Sequence, residues 1–378
     1  MRLAIGTVTV VVGLLVILGL TMLHSIGMHH PKGLHFFYQQ GWWLLIGLGV
    51  CAVAAAVDYR RTRLLSYGLL GVVAVLLVLA RTPGVGEPIK GAWRWLQVGP
   101  VTVQPSELAK VALILAIASY AHSCRRRMAE LQYGLLVPGV VISLILGLVL
   151  LGKDLGTTAL LAGLATAMLF AAGTRLRHLV PAGIIVVVLL GAYLVTDPVR
   201  WRRFEAHFHP ERFAETLAHQ SEQSKVAIGS GGTVGRGLGN GIHKAGFVPE
   251  QPTDFIFSVI GEELGLRVTL PILAAYLAFS LAALSIARRA PDFYGSMIAY
   301  GIAVLVGMQA AFNIAVTTGS IPNKGLALPF VSYGGSCLVT MLALVGLLIN
   351  VALRAAREEG AEFLPQSEDR EASALQNA

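Results

Sequence analysis

Residues 3–23 read LAIGTVTVVVGLLVILGLTML, twenty-one positions without a single charge. A helix of about 20 apolar residues spans a hydrocarbon core about 30 Å thick. Arg2 gives this stretch the basic start of a signal peptide. It runs longer than a typical signal core and lacks a small-residue cleavage site, so it is expected to be a retained first span. Nine further apolar stretches follow, at 41–57, 66–80, 105–122, 133–151, 155–173, 178–195, 264–287, 296–319 and 337–356. Glu107 and Lys110 interrupt the fourth. With no water in lipid to satisfy the backbone, each span should be helical, and the absence of period-two alternation argues against a β-barrel. The expected fold is an all-α integral membrane protein of ten transmembrane helices, with a large extracytoplasmic loop between spans seven and eight.

The composition points the same way. The chain has 378 residues, 55% of them hydrophobic and 13% charged, with a mean hydropathy of +0.69. A soluble domain could not hide that much apolar surface. The net charge of +8 follows loop topology. Arg2, Arg60, Arg61, Arg63, Arg125, Arg126, Arg127, Arg175, Arg177, Arg288, Arg289, Arg354 and Arg357 fall on one side of the expected membrane. Only Lys32, Arg81, Lys90, Arg94, Lys153 and Lys324 fall in the short loops of the other. This bias places both termini in the cytoplasm and makes nucleic acid a poor partner. Residues 1–357 then form one polytopic unit, and the polar stretch 358–378 reads as a disordered cytoplasmic tail. Cys51, Cys124 and Cys337 lack metal-ligand spacing, as do His207, His209, His219 and His243.

One connection is far longer than the others. Residues 196–254 hold Trp201, Phe204, Phe208 and Phe213 among arginines, then a glycine-rich run, then Pro249-Glu250-Gln251-Pro252-Thr253-Asp254. Loops of this length are usually functional or disordered. The aromatics suggest amphipathic helical pieces at headgroup level. The run from Ser230 and Gly231 to Gly241 fits neither G-x-G-x-x-G nor a Walker pattern, yet its exposed N–H groups could form a nest for a pyrophosphate or simply a hinge. Asp254, with Glu262 and Glu263 close behind, places three carboxylates at membrane depth, where ionisable groups usually mark function.

Other polar positions carry two readings each. Glu107 and Lys110, at i and i+3 on one helical face, form either a structural ion pair or the lining of a polar cavity. Asp154 either caps the sixth span or lines the outer mouth near Asp254. Arg94 and Trp95 belong to an aromatic belt or supply a cation beside the site. Residues 319–336 are too rich in glycine and proline for a simple helix, and irregular backbone at membrane depth must be buried or line a cavity.

Five outer-face segments, RWLQVGPVTVQPSELAK (94–110), KDLGTT (153–158), QSKVAIGSGGTVGRGLG (223–239), PEQPTDFIFSVIGEELG (249–265) and KGLALPFVSYGGS (324–336), occur in this order. Together they resemble the SEDS family, the multi-pass peptidoglycan glycosyltransferases typified by RodA and FtsW. Asn323-Lys324-Gly325-Leu326 is similar to the division-type, FtsW-like pattern. The chain departs from the family at Pro252, where histidine is usual, and at Lys153, where proline is frequent.

The resemblance implies polymerisation of lipid II at the outer face of the cytoplasmic membrane, with a class B penicillin-binding protein as partner. Asp254 would be the catalytic base for a sugar hydroxyl, with inversion at the sugar carbon. Arg94, Lys324 and Lys110 would offset the departing diphosphate, with or without a divalent cation such as Mg2+ or Mn2+. Trp95, Ser230, Gly231, Ser332, Tyr333, Gly334 and Gly335 would contact substrate. Two other classes remain open. A lipid II flippase or transporter would place its carboxylates near the midplane. A non-catalytic scaffold for a transpeptidase would not need Asp254.

Overall fold

The computed structural model describes residues 1–28, 33–89, 92–99, 101–213, 219–242, 252–323 and 325–362. A helix occupies each of the ten apolar stretches. In chain order they are α1 (Arg2–Gly27), α2 (His35–Ala56), α3 (Tyr59–Leu79), α4 (Pro105–Ser123), α5 (Val137–Leu151), α6 (Leu155–Ala171) and α7 (Leu176–Thr196), then α11 (Leu266–Arg288), α12 (Phe293–Thr317) and α13 (Gly335–Glu362). Three shorter helices lie between α7 and α11: α8 (Pro198–Phe208), α9 (His219–Gly231) and α10 (Ile256–Leu264). A π-helical turn, Gln132–Leu136, leads into α5.

Among the described residues eight helices are long and apolar enough to cross a membrane. The remaining two of the ten, α4 with its charged pair and the 17-residue α6, are mostly buried. They pack on each other and on α12 in the middle of the bundle, and α4 also meets α13. The opposite extreme is α7, whose apolar stretch is only 6% buried.

Local chemistry sets several helix starts. Asp58 accepts from the Arg60 N–H at 3.0 Å, Asp154 from the Thr157 N–H at 3.2 Å and Asp292 from the Gly295 N–H at 2.7 Å. Each satisfies a backbone donor that an α-helix leaves without a partner in its first turn. The eighth apolar stretch, expected as one span from residue 264, is broken at its start. Gly265 sits at φ +69° between α10 and α11, a conformation favouring glycine. α10 is therefore a separate, fully packed helix lying before the span.

The helical class holds, with one addition. The connection between α3 and α4 folds into an antiparallel sheet of β1 (Gly86–Ile89), β2 (Ala92–Val98) and β3 (Val101–Val103), in that order. The β1–β2 pairing slips at Glu87/Pro88, where proline cannot donate to the ladder. The long loop after α7 holds α8, whose aromatic face stacks Trp201 on Phe204 at 5.6 Å and sets Phe208 against Phe204, tilted, at 5.0 Å. This matches the amphipathic segment expected there. Part of that loop, and the tail beyond residue 362, lie outside the described residues.

Candidate active site

Asp254 ends a short turn just before α10, and its side chain is half-buried. Two hydrogen bonds fix this turn through its backbone, and one side chain packs beneath it. Asn313, near the end of α12, donates through Nδ2 to the Asp254 carbonyl at 2.9 Å. The same Nδ2 donates to the Leu326 carbonyl at 2.7 Å. The Tyr333 N–H donates to the Pro252 carbonyl at 2.7 Å. Phe255, fully buried, packs with Val316 and Ile321. Gly325, at φ +60°, lies so close that a Cβ there would stand 3.2 Å from Asp254 Oδ2. The structure thus brings together two segments about seventy residues apart in sequence, 252–255 and 325–333. Lys324, expected as a cation beside the acid, lies outside the described residues.

The residues expected to contact substrate around position 333 are anchored to α2. Ser332 Oγ accepts from the Leu328 N–H at 2.8 Å, and its carbonyl accepts from Gln40 Nε2 at 3.2 Å. The Gly334 N–H donates to Gln40 Oε1 at 3.2 Å. The Tyr333 hydroxyl donates to Gln39 Oε1 at 2.5 Å. Burial pushes the Tyr333 phenol up, so it remains a donor at neutral pH. At Gly335 a Cβ would stand 2.1 Å from the Trp43 ring, so α13 can begin there only without a side chain.

A second polar cluster lies inside the bundle. Lys110, fully enclosed, donates to Glu107 Oε1 at 2.7 Å and to Gln309 Oε1 at 2.8 Å. Gln309 in turn donates to the Ala327 carbonyl at 2.8 Å. Gln309 and Asn313, one turn apart on α12, therefore hold consecutive carbonyls of the last loop. The Glu107–Lys110 pair is enclosed in the bundle, and through Gln309 it reaches the loop beside Asp254.

Asp154 is the cap of α6 that one of its readings expected, and its neighbours are Arg94, Gln104 and Ser106. It sits 3.6 Å from the Arg94 guanidinium, with Gln104 and Ser106 donating to Oδ2 at 3.3 Å each. Arg94 also donates to the Lys153 carbonyl, to which Arg200 donates at 3.1 Å. A void of about 10 Å3, room for one water, lies between Arg94, Ser106 and Asp154. Trp95 stands opposite Glu87 in the β1–β2 ladder.

The glycine-rich run is a nest, and its anions are the protein's own. Glu262 and Glu263 are both fully buried on α10. The Ile242 N–H donates to Glu262 Oε1 at 2.8 Å, and the Gly239 N–H to Glu263 Oε2 at 3.0 Å. Ser25 of α1 donates to both Glu263 oxygens, at 2.8 and 2.9 Å. The N–H groups of Arg236 and Gly237 bond the carbonyls of the same two residues. Ser230 donates to the Ala227 carbonyl, and Gly231 abuts Gly261 so closely that a Cβ would stand 1.9 Å from its carbonyl oxygen. Sequence reasoning missed this pairing, although a glycine run followed by adjacent carboxylates was its signal.

Among the described residues no three His, Cys, Asp or Glu side chains converge to hold a metal ion.

The chain is 40% identical over 322 residues to the probable peptidoglycan glycosyltransferase FtsW of Geobacter metallireducens, covering 85% of each chain. It is 37% identical over 321 residues to the stage V sporulation protein E of Bacillus subtilis, covering 84% of this chain and 87% of that one. Among solved structures it resembles a chain of a peptidoglycan synthase complex that coordinates polymerization and crosslinking (TM-score 0.78, 28% identity, 92% of this chain and 97% of that one). It also resembles the rod shape determining protein RodA of Thermus thermophilus (TM-score 0.69, 28% identity, 92% and 96%). The family profile of FtsW, RodA and SpoVE, described as cell cycle proteins, matches residues 1–357. The chain belongs to this family of multi-pass membrane proteins.

Proposed function

We propose that this chain is a peptidoglycan glycosyltransferase that polymerises lipid II, and that Asp254 is its general base. The observation that carries the assignment is the fixing of Asp254. Its backbone is held by Asn313 and its turn by Tyr333, while its carboxylate stays half-buried against Gly325. An acid clamped by its main chain with its side chain accessible suits proton transfer, which needs a fixed heavy-atom position.

The step that follows is a single displacement. A sugar hydroxyl of the acceptor gives its proton to Asp254 as its oxygen attacks the anomeric carbon of the donor. The bond to the polyprenyl diphosphate breaks, and the configuration at that carbon inverts. Negative charge grows on the leaving oxygen and is offset by Arg94 and Lys324. Lys110 is committed to Glu107 and Gln309 and serves as a structural cation. No step is assigned to a metal ion.

Ten crossings, with α4 and α6 as the interior ones, put both termini on one side. The arginine excess makes that side cytoplasmic and Asp254 periplasmic. The partner is a transpeptidase, a single-span class B penicillin-binding protein. The identity to FtsW proteins supports a role in division over one in elongation. The deciding experiment gives labelled lipid II to the purified chain with its transpeptidase partner. The parent yields glycan polymer, and Asp254→Asn, with an unchanged melting temperature, yields none. Equal polymer from both would remove Asp254 as the base.

A further inference from the structure

A groove of about 310 Å3 opens at the end of the bundle opposite Asp254. Its walls are the last turn of α6 (Ala171), the last turns of α11 (Leu284, Arg288) and the first turns of α12 (Phe293, Ser296, Met297, Tyr300). The residues on α12 recur at helical spacing, so they form one face. Ser296 and Asn313 are seventeen residues apart on α12, which separates the groove from the Asp254 turn by roughly 25 Å at 1.5 Å per residue. The volume is at the lower end of the ~300–1,000 Å3 typical of ligand sites.

Three of the groove's polar groups are unspent. The Arg288 guanidinium and the hydroxyls of Ser296 and Tyr300 have no hydrogen-bond or ion-pair partner among the described residues. A second guanidinium stands at the rim, where Arg125 stacks on Phe293 at 4.4 Å. Among the described residues no carboxylate lines the groove. The nearest in sequence, Asp292, is already taken by the Gly295 N–H, the Tyr59 hydroxyl and Arg60. One wall therefore presents a cation and two hydroxyls to whatever enters, the donor set that suits a phosphate.

The groove also has an apolar approach. Leu270, Leu273, Leu277 and Leu281 are all exposed on α11. Their spacing of three and four residues draws one stripe along the outside of the bundle that ends at Leu284 and Arg288. A free phosphate would need only the donors. A ligand that also uses the stripe carries a hydrocarbon chain joined to its phosphate.

We propose that this groove binds an anionic glycerophospholipid from the leaflet opposite the Asp254 site. Its phosphate lies between Arg288, Ser296 and Tyr300, and an acyl chain lies along the leucine stripe of α11. The occupant would brace the start of α12, the helix whose other end carries Gln309 and Asn313.

The test uses the full chain, purified in detergent and examined by native mass spectrometry. Phosphatidylglycerol, phosphatidylcholine and inorganic phosphate are added separately. The parent should retain phosphatidylglycerol in preference to phosphatidylcholine, and excess inorganic phosphate should not displace it. Arg288→Ala should lower phosphatidylglycerol occupancy about fivefold, the weight of one basic residue at an anionic lipid surface. Met297→Trp, which fills the floor and leaves the donors in place, should lower it as well. Thermal melting confirms that both variants are folded. Equal occupancy in parent and Arg288→Ala, no preference between the two lipids, or displacement by inorganic phosphate overturns the proposal. So does loss of the transpeptidase partner from Arg288→Ala with lipid retention unchanged, which would make the groove a helix-docking surface.

Discussion

Asn313→Ala separates the position of Asp254 from its presence. The substitution removes a single Nδ2 that donates to the carbonyls of Asp254 and Leu326, at 2.9 and 2.7 Å. A buried carbonyl stripped of its donor costs about 1–3 kcal/mol. The bond to Leu326 is fully buried, whereas the bond to Asp254 is partly so and belongs at the lower end. Together they contribute about 2–4 kcal/mol to holding the turn. A tenfold change in an equilibrium corresponds to 1.4 kcal/mol, so local opening should rise by about 30- to 700-fold. Hydrogen–deuterium exchange over residues 252–260 should accelerate on that scale, while α4 and the middle of α12 remain as protected as in the parent. Displacing a catalytic group by about 1 Å can cost on the order of 100-fold in rate. Polymerisation of labelled lipid II should fall by that much with Asp254 still in the chain. Fast exchange with a rate close to the parent's would show that the tether does not serve catalysis. Unchanged exchange would show that these bonds do not hold the turn.

Gly325→Ala adds a methyl 3.2 Å from Asp254 Oδ2 at a left-handed position, which costs about 1–2 kcal/mol. Polymerisation should drop about tenfold with little change in melting temperature, and a parental rate would show that the carboxylate need not approach this backbone. Lys110→Met leaves Glu107 charged and enclosed, a loss of about 3–5 kcal/mol, whereas Glu107→Leu with Lys110→Met should melt near the parent. A double variant that melts lower than the single one would contradict this accounting. Asp292 is pushed up by burial, but the Gly295 N–H, Tyr59 and Arg60 outweigh it and hold its carboxyl below the usual range. A depressed carboxylate stabilises the fold above its unfolded range and loses that contribution as pH falls through its folded value. The melting temperature of the parent should therefore fall more steeply below the ordinary carboxylate range than that of Asp292→Asn. Parallel curves would count against the network.

The apolar spans were legible because lipid leaves a chain few choices: a long uncharged run becomes a helix wherever it lies. Asp254 was legible for the complementary reason, as a charge where charge is expensive. The small sheet is hidden in the sequence because an aromatic belt accounts equally well for Arg94 and Trp95. Yet Gly99-Pro100 marks a turn, and Val98, Val101 and Val103 are β-branched residues on either side of it. The break at Gly265 was hidden inside continuous hydrophobicity, where only the backbone preference of glycine separates α10 from α11. The glycine-rich run correctly announced exposed N–H groups. What those groups bind could not be read locally, since Glu262, Glu263 and Ser25 come from other parts of the chain. Pro252, a departure from the family, contributes its carbonyl to Tyr333, a bond that any residue could accept.

With only 6% of its apolar stretch buried, α7 is steered mainly by oil. A helix so lightly gripped tilts to match the thickness of the hydrocarbon around it. Arg200 stacks on Tyr193 and pairs with Asp197, coupling the end of α7 to the start of α8. Thinning or thickening the bilayer therefore swings α8 as a lever, so the acyl length of the host lipid becomes a mechanical input to the loop that follows α7.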